Sequence, residues 1–207
     1  MSAGGPAVPD ALGAEYLERG YVVRDVADAA AHEWIVTTTA RVAAGVLGAT
    51  APDGLAAAIA FLDGIHARVT PAALNDFRVG VIHGINALPE LRPAYFAVAR
   101  PYLESIVGNE LAMQQRVNLS IQMPADTSSL LPVHADTWSG DSPYEVVAWL
   151  PLVHCYGTKA MYLLPPRHAA AFDADFARRA GSSSESAFDA MRDQVEWLEV
   201  RSGQVLV

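Results

Sequence analysis

Hydrophobic positions recur along the first half of the chain at helical spacing and along the second half at strand spacing. Asp10 can cap a short helix carrying Leu12, Tyr16 and Leu17, which Gly20 would end. Residues 21–26, Tyr-Val-Val-Arg-Asp-Val, read as a short strand. Residues 29–47 place Trp34, Val42 and Val46 on one stripe and predict a second helix. Asp53 starts another through Ala57, Ile59, Phe61 and Leu62, and residues 74–85 and 91–107 complete the helical half. Pro93 near the start of the last segment is harmless, whereas Pro101 inside it predicts a kink or break.

After Gly108 the period changes. Residues 116–123 alternate strictly: Val117, Leu119, Ile121 and Met123 are apolar, and Arg116, Asn118, Ser120 and Gln122 are polar. That pattern predicts a strand with two chemically different faces. Further strands are expected at 131–136, 144–150, 160–164, 195–200 and 204–207, with Tyr144 and Trp149 as core aromatics. Residues 169–179 predict a helical insert, and Gly181-Ser-Ser-Ser reads as a mobile connection. The expectation is one α+β domain over 1–207. Its helical part spans 10–107, and 108–207 forms a partial barrel or jelly roll with an insert near 169–180. Arg201-Ser-Gly203-Gln204 feeds a strand that runs to Val207, and ends are ordinarily polar and frayed. The expectation is therefore a fragment with strands to come; a mature chain ending in an edge strand is the alternative.

Composition narrows the function classes. A hydrophobic content of 52% in 207 residues supplies a real core and excludes a disordered chain. A net charge of −9 argues against nucleic acid as a partner. The lone cysteine, Cys155, excludes an intrachain disulfide. Neither a signal peptide nor a membrane span is visible, so a cytoplasmic protein is expected. No glycine-rich phosphate loop links a strand to a helix. Cys155 lies next to His154, but neighbours on a strand point to opposite faces, so nucleophilic catalysis is not expected.

The chemistry-bearing segment is Leu-Pro-Val-His134-Ala-Asp136-Thr-Trp138. Residues two apart on a strand share a face, so His134 and Asp136 would present an imidazole and a carboxylate together. Two histidines and one carboxylate form the facial triad of non-haem Fe(II) oxygenases; a paired surface histidine is the plainer reading. Asn118, Ser120 and Gln122 either face solvent or line a polar cavity.

Longer stretches carry a resemblance. Asn118-Leu-Ser-Ile-Gln-Met-Pro, Ser-Ser-Leu-Leu-Pro-Val-His134-Ala-Asp136, Trp138-Ser-Gly-Asp-Ser-Pro-Tyr144-Glu, Pro151-Leu-Val with Thr158-Lys159, and Tyr162-Leu-Leu-Pro-Pro are similar to one family. It is the 2-oxoglutarate-Fe(II) oxygenases of sporadic carbohydrate clusters, themselves distantly similar to phytanoyl-CoA hydroxylases. Asn75-Asp-Phe-Arg78, Arg92-Pro-Ala-Tyr95-Phe96 and Gly108-Asn-Glu-Leu-Ala-Met113 extend the resemblance over residues 74–207.

The resemblance implies a double-stranded β-helix (jelly roll, cupin-like), incomplete at the C-terminus, with Fe(II) held by His134, Asp136 and a later histidine. The third ligand and a 2-oxoglutarate-binding arginine would lie past the Gly-Gln-Val-Leu-Val strand, beyond Val207. His32, His66, His83, His154 and His168 are read as structural or surface residues. The implied reaction couples oxidative decarboxylation of 2-oxoglutarate to oxidation of a C–H bond, with the protein supplying position and exclusion of water. Asn118, Gln122 and Lys159 are candidate co-substrate contacts, and Trp138 is a candidate wall for a sugar or sugar-nucleotide substrate. The chain lacking the two later residues is expected to be inactive. Two other classes stay open: a non-catalytic sugar-binding jelly roll, and a cupin-like metal-dependent isomerase or epimerase. The oligomeric state is open.

Overall fold

The computed structural model describes residues 11–126, 133–176 and 183–207. Its helical half follows the hydrophobic periodicity closely. Helix α1 (Ala11–Arg19) ends at Gly20, whose φ of 79° is the left-handed conformation in which a Cβ is strained. Helix α2 (Ala29–Val46) starts because the Asp28 carboxylate accepts the Ala31 N–H at 2.9 Å, satisfying an otherwise orphaned donor. Its buried face carries His32, Ile35, Val36, Thr39, Ala40, Ala43 and Ala44. Around it pack α3 (Gly54–Asp63), α4 (Leu74–Asn86) and α5 (Leu91–Ala97). Gly84 lets α4 approach α2 closely: a Cβ there would lie 2.5 Å from Val42 Cγ1. Residues 91–107 are two helices, since the chain breaks after Ala97 and restarts as α6 (Arg100–Val107) with Pro101 in its first turn. The expected proline interruption is thus real, and proline sits where its missing N–H is not needed.

The second half departs from the expected barrel. Among the described residues its strands are β2 (Met161–Leu163), β3 (Glu196–Leu198) and β4 (Gln204–Leu206), joined by β1 (Val23–Asp25) from the first half. They form two separate two-stranded antiparallel sheets, β1–β4 and β2–β3. Arg24 faces Val205 in one and Tyr162 faces Trp197 in the other. Isolated bridges join Trp149 to Leu206 and Cys155 to Val200. Among the described residues no double-stranded β-helix, jelly roll or cupin-like barrel forms, so the fold class expected from sequence is corrected to a predominantly helical α+β fold with two small sheets.

The strand expected at 116–123 shows why. Val117 and Met123 are buried, and Leu119 and Ile121 pack on the same cluster with Phe77, Val81 and Ile85 of α4. Its polar positions Arg116, Asn118 and Ser120 are exposed. The alternation therefore records burial on one side against helices, without a neighbouring strand among the described residues. A side chain supplies the missing ladder: Asn86 Nδ2 donates to Val117 O and its Oδ1 accepts Val117 N–H, both at 2.8 Å.

Other expectations shift as well. Residues 131–132 of the strand expected at 131–136 lie outside the described residues, and Asp136–Ser139 is a turn of 3₁₀ helix. Residues 144–150 contribute only the Trp149 bridge, and Tyr144, expected in the core, is 88% exposed. The helical insert begins earlier than expected, as α7 (Pro166–Phe176). Residues 177–182 lie outside the described residues, and Ser183 accepts the Ser186 N–H to cap an unexpected helix, α8 (Ser184–Met191). Strand β4 joins the two halves. Val205 and Val207 are buried with Val22, Ile35 and Val98, while Val207 N–H and C=O pair with Val22 at 3.0 and 2.8 Å.

Candidate functional site

His134 and Asp136 do come together, though not on a strand. The intervening Ala135 has φ −124° and ψ 139°, a locally extended conformation that turns the two side chains to one side. His134 Nε2 lies 3.8 Å from Asp136 Oδ1, and the two side chains are 54% and 46% exposed. After Asp136 the backbone closes on itself: Trp138 N–H donates to Ala135 O at 2.9 Å, and Asp141 N–H to Asp136 O at 3.3 Å. Trp138, half-buried, stacks on Phe172 of α7, with ring centroids 5.9 Å apart and planes 23° from parallel.

An imidazole nitrogen and a carboxylate oxygen are suitable donors for a first-row divalent metal, and adjacent ligands on one metal stand about 3 Å apart. A small rotation of either exposed side chain closes the difference from 3.8 Å. The pair therefore fits two positions of a facial metal site. Among the described residues no group of three or more His, Cys, Asp or Glu side chains could hold a metal, so the third protein ligand is not supplied there.

The remaining expected site residues scatter. Gln122 is half-buried, and its Oε1 is shielded from solvent without a hydrogen-bond partner among the described residues. A buried acceptor in that state costs on the order of 1–3 kcal/mol, so an incoming donor would be welcome there. Asn118 is exposed. Lys159 is already engaged: its Nζ lies 2.6 Å from Asp63 Oδ1 at the end of α3 and 4.8 Å from the Tyr156 ring centroid. An anionic co-substrate would have to displace Asp63 to use it.

The other histidines have separate settings. His32 is buried, and its Nε2 accepts the Gly203 N–H at 3.1 Å and lies 3.2 Å from Ser202 Oγ. Burial pushes its pKa down, partly opposed by Glu33. His66 Nδ1 lies 3.1 Å from the Asp63 carbonyl, and His154, also exposed, packs its ring near Tyr156. His83 is exposed and His168 half-buried. Burial pushes the Cys155 thiol up, away from the thiolate a nucleophile needs.

Phe172 and Asp63 were invisible to sequence reasoning as site neighbours. Each acts through a contact between distant segments, for which neither period nor local spacing carries a signal. Among the described residues no helix is long and apolar enough to cross a membrane. No family model, no curated protein and no solved structure matches the chain.

Proposed function

We propose that this chain belongs to an Fe(II)- and 2-oxoglutarate-dependent oxygenase that oxidises a carbohydrate-related small molecule. The observation that carries the reading is the approach of His134 Nε2 to Asp136 Oδ1, 3.8 Å apart and both open to solvent. The resemblance across residues 74–207 supports the co-substrate, and the carbohydrate class rests on that resemblance alone.

His134 and Asp136 would hold the metal from one side, leaving the other positions to a further ligand and to reactants. When bound, such an iron centre supplies the oxidising power, which no protein side chain possesses. The Asp136 carboxylate would bring an oxygen donor to the cation. Its place at the start of a 3₁₀ turn keeps the backbone behind it closed. The resemblance would make Trp138 a wall for the substrate; Gln122, whose buried oxygen calls for a donor and not for a carboxylate, is not assigned to the co-substrate. Because the described residues supply two donors to the facial set, no reaction step is assigned to this chain by itself.

The gene decides first. Read past codon 207, it is expected to encode a histidine and then an arginine; an in-frame stop immediately after Val207 would remove the third ligand and sink the reading. The product of the longer reading frame, given Fe(II) and 2-oxoglutarate without oxygen, is expected to show a weak visible charge-transfer band. It should then release succinate when oxygen is admitted. His134→Ala and Asp136→Ala should each lower succinate formation by more than about a hundredfold, since each removes a direct ligand. Unchanged succinate formation in either variant defeats the assignment of that residue.

A further inference from the structure

We infer that Phe172 is a positioning residue for the His134–Asp136 pair, acting through Trp138. This inference rests on the metal-binding reading given above. A strand would have held the pair by its ladder of backbone hydrogen bonds, but the pair lies on an irregular segment followed by a 3₁₀ turn. Side-chain packing is one source of the placement that a ladder would have given.

The route runs inward from Asp136. The turn Asp136–Ser139 is closed by its own backbone bonds, so its residues move together. Trp138, two residues after Asp136, lays its ring on that of Phe172, 5.9 Å away and 23° from parallel. Phe172 is buried, on a helix that is itself fixed in two places. Helix α7 packs against α1, and Arg167 near its start pairs with Glu196 of β3 at 2.6 Å. A nearly parallel stack restrains both the tilt and the height of the indole above its neighbour, which an aliphatic contact does less well. Through the closed turn that restraint reaches the Asp136 carboxylate, and through the extended Ala135 it fixes the carboxylate relative to His134.

Co(II) is the probe, titrated into the product of the longer reading frame, unaltered and with each substitution below, while absorbance and heat are followed. The unaltered chain is expected to bind Co(II), and His134→Ala and Asp136→Ala to lose it. Phe172→Ala is expected to weaken Co(II) binding by about tenfold or more, in the range that supporting residues around metal ligands command. Phe172→Tyr, which keeps the stacked ring, should restore it. Trp138→Ala removes the partner ring from a half-exposed position and should match Phe172→Ala even where the latter folds poorly. A general loss of stability would follow the melting temperature in all variants, and the tyrosine rescue at equal melting temperature separates positioning from folding. Wild-type affinity in both Phe172→Ala and Trp138→Ala, with loss in His134→Ala and Asp136→Ala, overturns the positioning role and leaves the metal reading intact. Absent binding by the unaltered chain, or binding undiminished in His134→Ala and Asp136→Ala, overturns the metal reading and this inference with it.

Discussion

His32 stands on α2 with its ring buried and its Nε2 accepting the Gly203 N–H, a role open only to the neutral imidazole with its proton on Nδ1. Protonation would set one donor against another. In the unfolded chain this group titrates near its ordinary value of about 6.5, and burial lowers it in the fold. Between those two values the unfolded state binds more protons, so stability is full above about pH 6.5 and falls as pH drops towards the folded value. His32→Gln retains an acceptor but cannot titrate. Its urea midpoint should change less than the parent's between pH 8 and pH 5, and equal slopes would refute the account. The sequence left His32 as a structural or surface residue, and its partner in the Ser202–Gly203 turn, which makes it structural, was not legible. Tyr144 teaches the reverse lesson. Its ring suggested a core position, yet it is 88% exposed, because an aromatic residue outside a regular period carries no information about which way it faces.

Helices here were legible from sequence because each is written in one continuous segment: spacing gives the buried stripe, while Asp28, Gly20 and Pro101 punctuate it. Strands depend on partners elsewhere, and that is where the reading failed. Residues 116–123 alternate as a strand should, and the alternation correctly names Val117 and Met123 as buried, but α4 provides the opposing surface. Asn86 then does for Val117 what a neighbouring strand would do. Its amide also donates to Ile82 O at 2.8 Å, so one side chain ties the end of α4 to the following segment. Asn86→Ala strands both backbone groups of Val117 and is expected to cost about 1–3 kcal/mol. Asn86→Asp keeps the acceptor for Val117 N–H but sets a carboxylate oxygen against the Ile82 and Val117 carbonyls, so it should cost at least as much as Asn86→Ala. Chemical denaturation measures both, and loss in Asn86→Ala below about 0.5 kcal/mol would show that water replaces the amide. Of the candidate site, the two-residue spacing anticipates that the His134 and Asp136 side chains lie near one another, although a local extended residue and not a strand sets that geometry.

Strand β4 makes the whole chain interdependent. Val205 has no exposed surface and lies opposite Arg24 of β1, in the cluster that also holds Ile35 of α2 and Leu150. Leu206 bridges to Trp149 on the other side, and the turn before β4 rests on His32. Elements from both ends of the sequence thus close over one core, which implies that helical and sheet parts unfold together. Val205→Ala removes two buried methyl groups and should cost about 2 kcal/mol, the transfer term enlarged by incomplete collapse of the cavity. The loss of helix, followed by far-ultraviolet circular dichroism, should shift in urea by the same amount as the tryptophan signal of a variant in which Trp149 is the sole tryptophan, Trp34, Trp138 and Trp197 being replaced. A helical transition that stays in place while the Trp149 transition moves would mean that α2 to α6 form an autonomous unit and that β4 merely docks onto it. Coincident shifts place the core of the molecule where the sequence gives least warning, at the meeting of its first strand and its last.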